Sequence, residues 1–319
     1  MKVALIGTGY IAGRHAAALT GLGAEVVGHV GRTDVERAAA RWGGRAYRDT
    51  AGLLSAEEVD AAWICVPPDA HGDIELALIE HGVPFYVEKP IGRDLDVPRR
   101  IAAALADGGP IACVGYYWRG MDVVPGLRRM LVETPPHLVR AAWHGLVPPV
   151  PWWRVEARSG GQVVEQATHL FDLARSLLGE AEVLHAVARH SPVPDHPDLD
   201  VATVNAATLE FASGPLGVFT STSVLHATVD AGIEFHCEGR KLTLTTKSLR
   251  REDAGGTHET PVGRDPLVTA DERFLTAVRE RDPSHLVCDY ADALRTQELC
   301  CRVRDLASRA DVTSRGMPQ

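Results

Sequence analysis

Lysine is scarce in this chain. Only Lys2, Lys89, Lys241 and Lys247 occur in 319 residues, and every other side-chain cation apart from histidine is an arginine. Bases are also outnumbered, 33 against 42 acids, for a formal net charge of −9. A nucleic-acid surface ordinarily needs a basic excess, so the balance argues against such a partner. No CxxC pair and no regular framework joins Cys65, Cys113, Cys237, Cys288, Cys300 and Cys301. Adjacent cysteines at 300 and 301 are poorly placed for a structural disulfide, and reduced thiols in a cytoplasmic protein are the expectation. No apolar run reaches the length of a membrane span. The first run, KVALI, is broken by Gly7 and reads as a strand, not a signal peptide. Internal repeats and low-complexity tracts are absent as well. What is present is ordinary for a globular protein, with 45% hydrophobic and 24% charged residues. The length is enough for two domains.

The first half alternates strand and helix patterns. KVALI precedes Gly7-Thr8-Gly9-Tyr10-Ile11-Ala12, and Glu25–Val30 follows as a second strand. This is the strand–glycine turn–helix context of a dinucleotide site. Gly7 makes the tight turn, Gly9 lets a pyrophosphate approach, and the helix opening at Tyr10 and Ile11 offers backbone amides. The second strand ends in Gly31-Arg32-Thr33 and not in an acid. An arginine there suits a 2′-phosphate, which points to NADP. The other reading is a surface arginine, with Asp34 or backbone holding the ribose of NAD.

Further strands at 61–66, 84–87 and 111–115, with helices at 34–42, 71–81 and 95–107, predict a doubly wound parallel sheet. Ligands of such sheets bind beyond the carboxyl ends of the strands. Val66-Pro67-Pro68, Glu88-Lys89-Pro90 and Tyr116-Tyr117-Trp118-Arg119 fall there. Pro67, His71, Glu88 and Lys89 join the expected cofactor set. Tyr117 and Arg119 join the expected substrate set. Lys89 ends an apolar strand and precedes a proline that restricts it, so it is suited to donate to a substrate oxygen. A solvated loop lysine is the plainer alternative.

After residue 118 the alternation stops, which sets expected domains at 1–118 and 119–319. A helix over 122–133 leads into runs with strand alternation at 138–144, 183–190, 203–211, 216–224, 232–238 and 241–246. These predict an open, mostly antiparallel sheet, covered on one face by a helix over 160–178 and on the other by a second copy, as a homodimer or homotetramer. Helices at 269–281 and 289–309 close the chain. Trp153 and Arg154, in a proline-stiffened loop, either stack on a sugar ring and donate to hydroxyls or pack into the domain junction. Loop 191–200 reads as a connection, and His15, His71, His226 and His236 as structural or solvated and not catalytic.

The stretch GGQVVEQATHLFD (160–172) carries the densest chemistry. Glu165, His169 and Asp172 are spaced i, i+4, i+7 and share one face of a continuous helix. His169 can cycle a proton near neutral pH, with Glu165 one turn earlier to orient it or hold a hydroxyl. The same three could ligate a metal, but a single histidine and a dinucleotide loop elsewhere speak against one. A non-catalytic NADP-dependent sensor is the other rival.

Taken together, GTGYIA, the strand-end EKP and GG-x3-E-x3-H-x2-D resemble the Gfo/Idh/MocA oxidoreductases over essentially the whole chain. The resemblance implies a Rossmann domain, a second α/β domain, a bound nicotinamide cofactor, and hydride transfer at a hydroxyl or ketone carbon of a sugar or cyclic polyol. A nucleotide-linked keto-sugar or an imine is the alternative substrate. It implies that Lys89 hydrogen-bonds the reacting oxygen and that His169 is the catalytic histidine. Asp172 corresponds to a trailing acid, and Glu165 stands where many members have aspartate.

Overall fold

The computed structural model describes residues 1–314, with side chains through residue 308. The chain divides into two compact units: Met1–Gly120 with Arg264–Leu294, and Met121–Gly263 with Arg295 onward. The expected boundary near 118 marks the first crossing only. The segment 264–294, expected in the second domain, belongs to the first unit, and residues 315–319 of that expected domain lie outside the described residues.

The first unit runs β1 (Lys2–Ile6), α1 (Tyr10–Gly21), β2 (Glu25–Val30), α2 (Val35–Trp42), β3 (Arg45–Tyr47), α3 (Thr50–Ala56), β4 (Ala61–Ile64), α4 (Asp73–Glu80), β5 (Phe85–Val87), α5 (Asp96–Ala106) and β6 (Ala112–Val114). Its six strands are parallel, in the order β3-β2-β1-β4-β5-β6. Strands covered on both faces read as continuous apolar runs, and β4, β5 and β6 are buried at every position. The order reverses direction between β1 and β4, the switch point where such sheets bind ligands. The pair β3 and α3 is an addition to the expected pattern.

The second unit runs α6 (Val124–Glu133), β7 (Pro136–His144), α7 (Glu156–Ser159), α8 (Gln162–Glu165), α9 (Thr168–Leu178), β8 (Ala181–Arg189), β9 (Val204–Phe211), β10 (Leu216–Thr222), β11 (Asp230–Cys237), β12 (Arg240–Thr245), β13 (Ser248–Asp253) and β14 (Gly256–Pro261). Helix α10 (Pro266–Glu280) lies in the first unit, and the unit boundary falls within α11 (Tyr290–Ser314). The eight strands follow the order β14-β13-β12-β11-β7-β10-β9-β8. Only β7 and β10 pair in parallel; every other neighbour is antiparallel.

Register sorts this sheet into two faces. Ala207, Phe219, Ala141, Ile233 and Leu244 sit opposite one another on successive strands and are buried. Helix α9 packs on that face, with Phe171 stacked on Phe219 at 4.6 Å between ring centroids. Thr208, Val218, Arg140 and Glu234 form a row on the opposite face. That face leaves Leu216 51% exposed, with Val204 and Val218 also open.

The expected helix over 160–178 is two helices. Helix α8 stops at Glu165, and α9 begins at Thr168 after a break at Gln166 and Ala167. The shared face assumed for Glu165, His169 and Asp172 is therefore interrupted before His169. Among the described residues, no helix is long and apolar enough to cross a membrane.

Candidate active site

The dinucleotide loop is shaped by what a Cβ would meet. Gly7 has φ of +116°, and a Cβ there would lie 2.1 Å from the Cys65 carbonyl oxygen, so no side chain fits. At Gly9 a Cβ would meet nothing within 4 Å, leaving open space in front of α1. Gly9 is the N-cap of α1, and neither a capping side chain nor an acidic first turn answers its amide donors. These features fit a bound pyrophosphate held on the amides that begin at Tyr10 and Ile11. A cavity of about 410 Å³ opens along the loop, lined in part by Gly9, Tyr10, Asp34, Arg37 and Arg41. At the end of β2, Thr8 Oγ1 donates to the Thr33 carbonyl at 2.8 Å, tying the glycine loop to the turn that carries Arg32. Arg32, Thr33 and Asp34 are exposed, and Asp34 adopts a left-handed φ of 54°.

After β4, Pro67 is half-buried and His71 is buried. His71 Nδ1 meets Glu75 Oε1 at 2.5 Å, and the other oxygen of Glu75 accepts from the Gly72 amide at 2.7 Å. Burial pushes the Glu75 carboxyl up, but His71 and that amide outweigh it and hold it below the usual range. The pair fixes the loop from inside α4.

Lys89 lies two residues beyond the end of β5 and is half-buried, and its bond to Pro90 is cis. Glu88, expected among the cofactor residues, is 5% exposed and turns inward. Its Oε1 lies 3.1 Å from His15 Nε2, and His15 Nδ1 faces both oxygens of Asp271 on α10 at 2.8 and 2.9 Å. Trp63 Nε1 donates to the same carboxylate at 2.9 Å. Desolvation opposes charge on His15, but the two carboxylates prevail and raise its pKa to about 9. Buried carboxylates need such partners. The Glu88 side chain is thus bound into the core. Burial raises the Tyr117 phenol, with Glu88 raising it further and Lys89 lowering it. Arg119 donates to Asp292 at 2.5 Å.

In the second unit, His169 is 2% exposed and its ring stacks on Trp143 of β7 at 6.2 Å and 20°. Asp172 is fully buried and accepts from Thr296 of α11 at 2.9 Å, and Arg175 donates to the same hydroxyl. Half-buried Glu165 accepts from Trp153 Nε1 at 2.8 Å. Trp153 has no open face. It sits fully buried in a satellite core with Val147, Leu199 and Val201, which accords with packing, one of the two readings of this loop. Arg154 lies 3.3 Å from Asp198, and Asp200 accepts from the Glu156 amide. Loop 191–200 is therefore a clamp on residues 153–156 and more than a connection. Among the described residues no cluster suited to a metal occurs.

His15 and Asp271 were not found from the sequence as a pair, because 256 residues separate them. The signal available was an acid at 271 within the apolar face of a helix.

The chain matches the model of an oxidoreductase family with an NAD-binding Rossmann fold over residues 1–116, and that of the GFO/IDH/MocA C-terminal domain over 135–243. It belongs to the Gfo/Idh/MocA family of oxidoreductases. An inositol 2-dehydrogenase of Rhizobium meliloti is 27% identical over 262 residues, covering 78% of this chain and 76% of that one. A levoglucosan dehydrogenase solved with NADH and levoglucosan shares the fold with a TM-score of 0.85 at 18% identity, over 97% of each chain. So does a 3-ketoreductase from Actinomadura kijaniata solved with NADP and TDP-benzene, with a TM-score of 0.83 at 21% identity, over 96% of this chain and 97% of that one.

The buried imidazolium carries a pH signature. Its folded pKa near 9 exceeds the ordinary 6.5, so its stabilisation is complete below 6.5 and is lost as pH rises through about 9. Thermal midpoints measured from pH 6 to 9.5 should fall over that window, and Asp271→Asn should lower the midpoint and flatten the slope.

Proposed function

We propose that this chain is an NADP-dependent dehydrogenase that interconverts a hydroxyl and a ketone on a sugar or cyclic polyol. The observation that carries the reading is the position of Lys89. It stands at the carboxyl edge of the same parallel sheet as the Gly7–Gly9 loop, two strands over from β1. The inositol 2-dehydrogenase relative supports a polyol substrate. Gly9, Tyr10 and Ile11 would hold the cofactor pyrophosphate, Arg32 and Thr33 its ribose end, and Pro67 and His71 the loop beside it. When bound, the cofactor supplies or accepts the hydride.

The protein's own groups do the rest. Lys89 donates to the oxygen that gains charge on reduction, and a pre-placed cation stabilises that charge most in a partly dry setting. His169 gives and takes the proton, its ring orientation set by the face of Trp143. Glu165 holds Trp153 and through it the wall formed with loop 191–201. Tyr117, Arg119, Arg154 and Asp172 are assigned to the surroundings of the substrate. Arg32 is assigned to the 2′-phosphate, where a guanidinium can make paired hydrogen bonds. The open face carrying Val204, Leu216 and Val218 is assigned to a second copy of the chain, since exposed apolar surface of this kind marks interfaces.

Three outcomes are expected. His169→Ala should lose turnover by on the order of a hundredfold or more with cofactor affinity intact, measured by nicotinamide absorbance over a panel of sugars and cyclic polyols. Unchanged turnover would end the assignment. NADPH should bind more tightly than NADH by fluorescence titration, with Arg32→Ala closing the gap; tighter NADH would reverse the cofactor. Light scattering should give a mass of two or four chains, and a monomer at micromolar concentration would remove the second copy.

A further inference from the structure

The geometry points to His15 and Glu88 as positioning residues for Lys89, a role that rests on the reading of Lys89 as donor to the reacting oxygen. A chain of contacts leads from α10 to the strand end. Asp271 holds His15 through both carboxylate oxygens, and His15 holds Glu88 through Nε2. Side-chain exposure along this chain is 0% for His15 and Asp271 and 6% for Glu88. Every member is thus held in a dry core where hydrogen-bonded charges have fixed geometry.

Glu88 is confined from the other side as well. A Cβ on Gly115 would lie 2.6 Å from Glu88 Oε1 and 2.9 Å from its carboxyl carbon, so the carboxylate occupies the space that glycine leaves. The backbone of Glu88 is fastened by its own amide to the Ile64 carbonyl at 2.9 Å, and Gly115 donates to Val87 at 2.9 Å. Lys89 follows directly. The residue that aims the lysine is therefore locked at its side chain by an imidazolium and at its main chain by both neighbouring strands. Tyr86 completes the enclosure, with its ring 5.1 Å from that of His15.

Neither Glu88 nor His15 needs to touch substrate for this role. Their removal changes where Lys89 points, and misplacing a reacting group by about an ångström costs on the order of a hundredfold in rate. Gly115→Ala offers a clean displacement. It leaves every charge in place, and because the atoms it meets belong to the end of the Glu88 side chain, the displacement falls first on that carboxylate.

The test exploits the four lysines. Reductive 13C-methylation labels Lys2, Lys89, Lys241, Lys247 and the α-amine, and NMR reads each dimethylamine separately. Lys89→Ala assigns its signal, and the others serve as internal controls. In His15→Gln, Glu88→Gln and Gly115→Ala the Lys89 signal should shift while the rest stay. On unmethylated protein, kcat should fall on the order of tenfold to a hundredfold with cofactor affinity unchanged. If His15→Gln fails to fold, Glu88→Gln and Gly115→Ala still decide. An unmoved Lys89 signal in those folded variants overturns the proposal, even where thermal stability drops. A moved signal supports it independently of turnover. Wild-type turnover in Lys89→Ala would instead sink the catalytic reading of the lysine, so the two failures are told apart.

Discussion

Asp271 is a carboxylate with no access to water, and its neutralisation organises the first unit. An isolated charge of this kind costs several kcal/mol in a protein interior. Here it is answered by the imidazolium of His15 and the indole N–H of Trp63. The three come from α10, α1 and β4, so satisfying one charge requires three elements to meet. Helix α10 then contributes Ala270 and Phe274 to the core, with Phe274 edge-on to Trp63 at 5.1 Å. Removing only one partner would leave a charge stranded, which is why such a cluster holds more firmly than its net gain suggests.

The second unit is organised by a sheet and not by a charge. Its inner face is apolar through the middle rows, where Phe171, Phe211 and Phe219 pack together. Toward one end it turns polar. Asn205 Nδ2 lies 3.3 Å from Ser221 Oγ and 3.4 Å from Gln162 Oε1, on the row that pairs Asn205 with Ser221 and Ser221 with Trp143. His169 is held against that same Trp143. The catalytic candidate thus stands where the sheet changes from packing to hydrogen bonding.

Most of the architecture was legible from periodicity, because buried parallel strands and half-buried antiparallel ones leave different traces. The glycine loop, the helix after it and the switch to an open sheet were read from local patterns. What was missed had no such trace. The strand at Arg45–Tyr47 is short and mostly exposed, and β13 and β14, SLRRED and GTHETP, carry Leu249 as their one buried apolar side chain. The break at Gln166 is invisible to residue spacing, because the residues across it keep helical dihedral angles while the hydrogen-bond ladder is interrupted. At the site, Lys89 and His169 stood out from the strand end and the motif. The inward turn of Glu88 and the packing of Trp153 depend on partners far away in sequence, Asp271 by way of His15 and Leu199 with Val201, and no window of sequence contains them.

The return of α10 to the first unit also bears on how the chain is made. Synthesis proceeds from the N-terminus, and domains tend to fold as they emerge. Residues 1–120 emerge first, yet they lack Asp271, Phe274 and the strand-side partner Cys288, whose carbonyl accepts from Val114. His15 has Glu88 beside it but waits for its second carboxylate until residue 271 has left the ribosome. The eight strands of the other unit are all translated in that interval. The first unit is therefore completed only after the sheet of the other has been made, and a fragment ending at residue 120 lacks part of its own core.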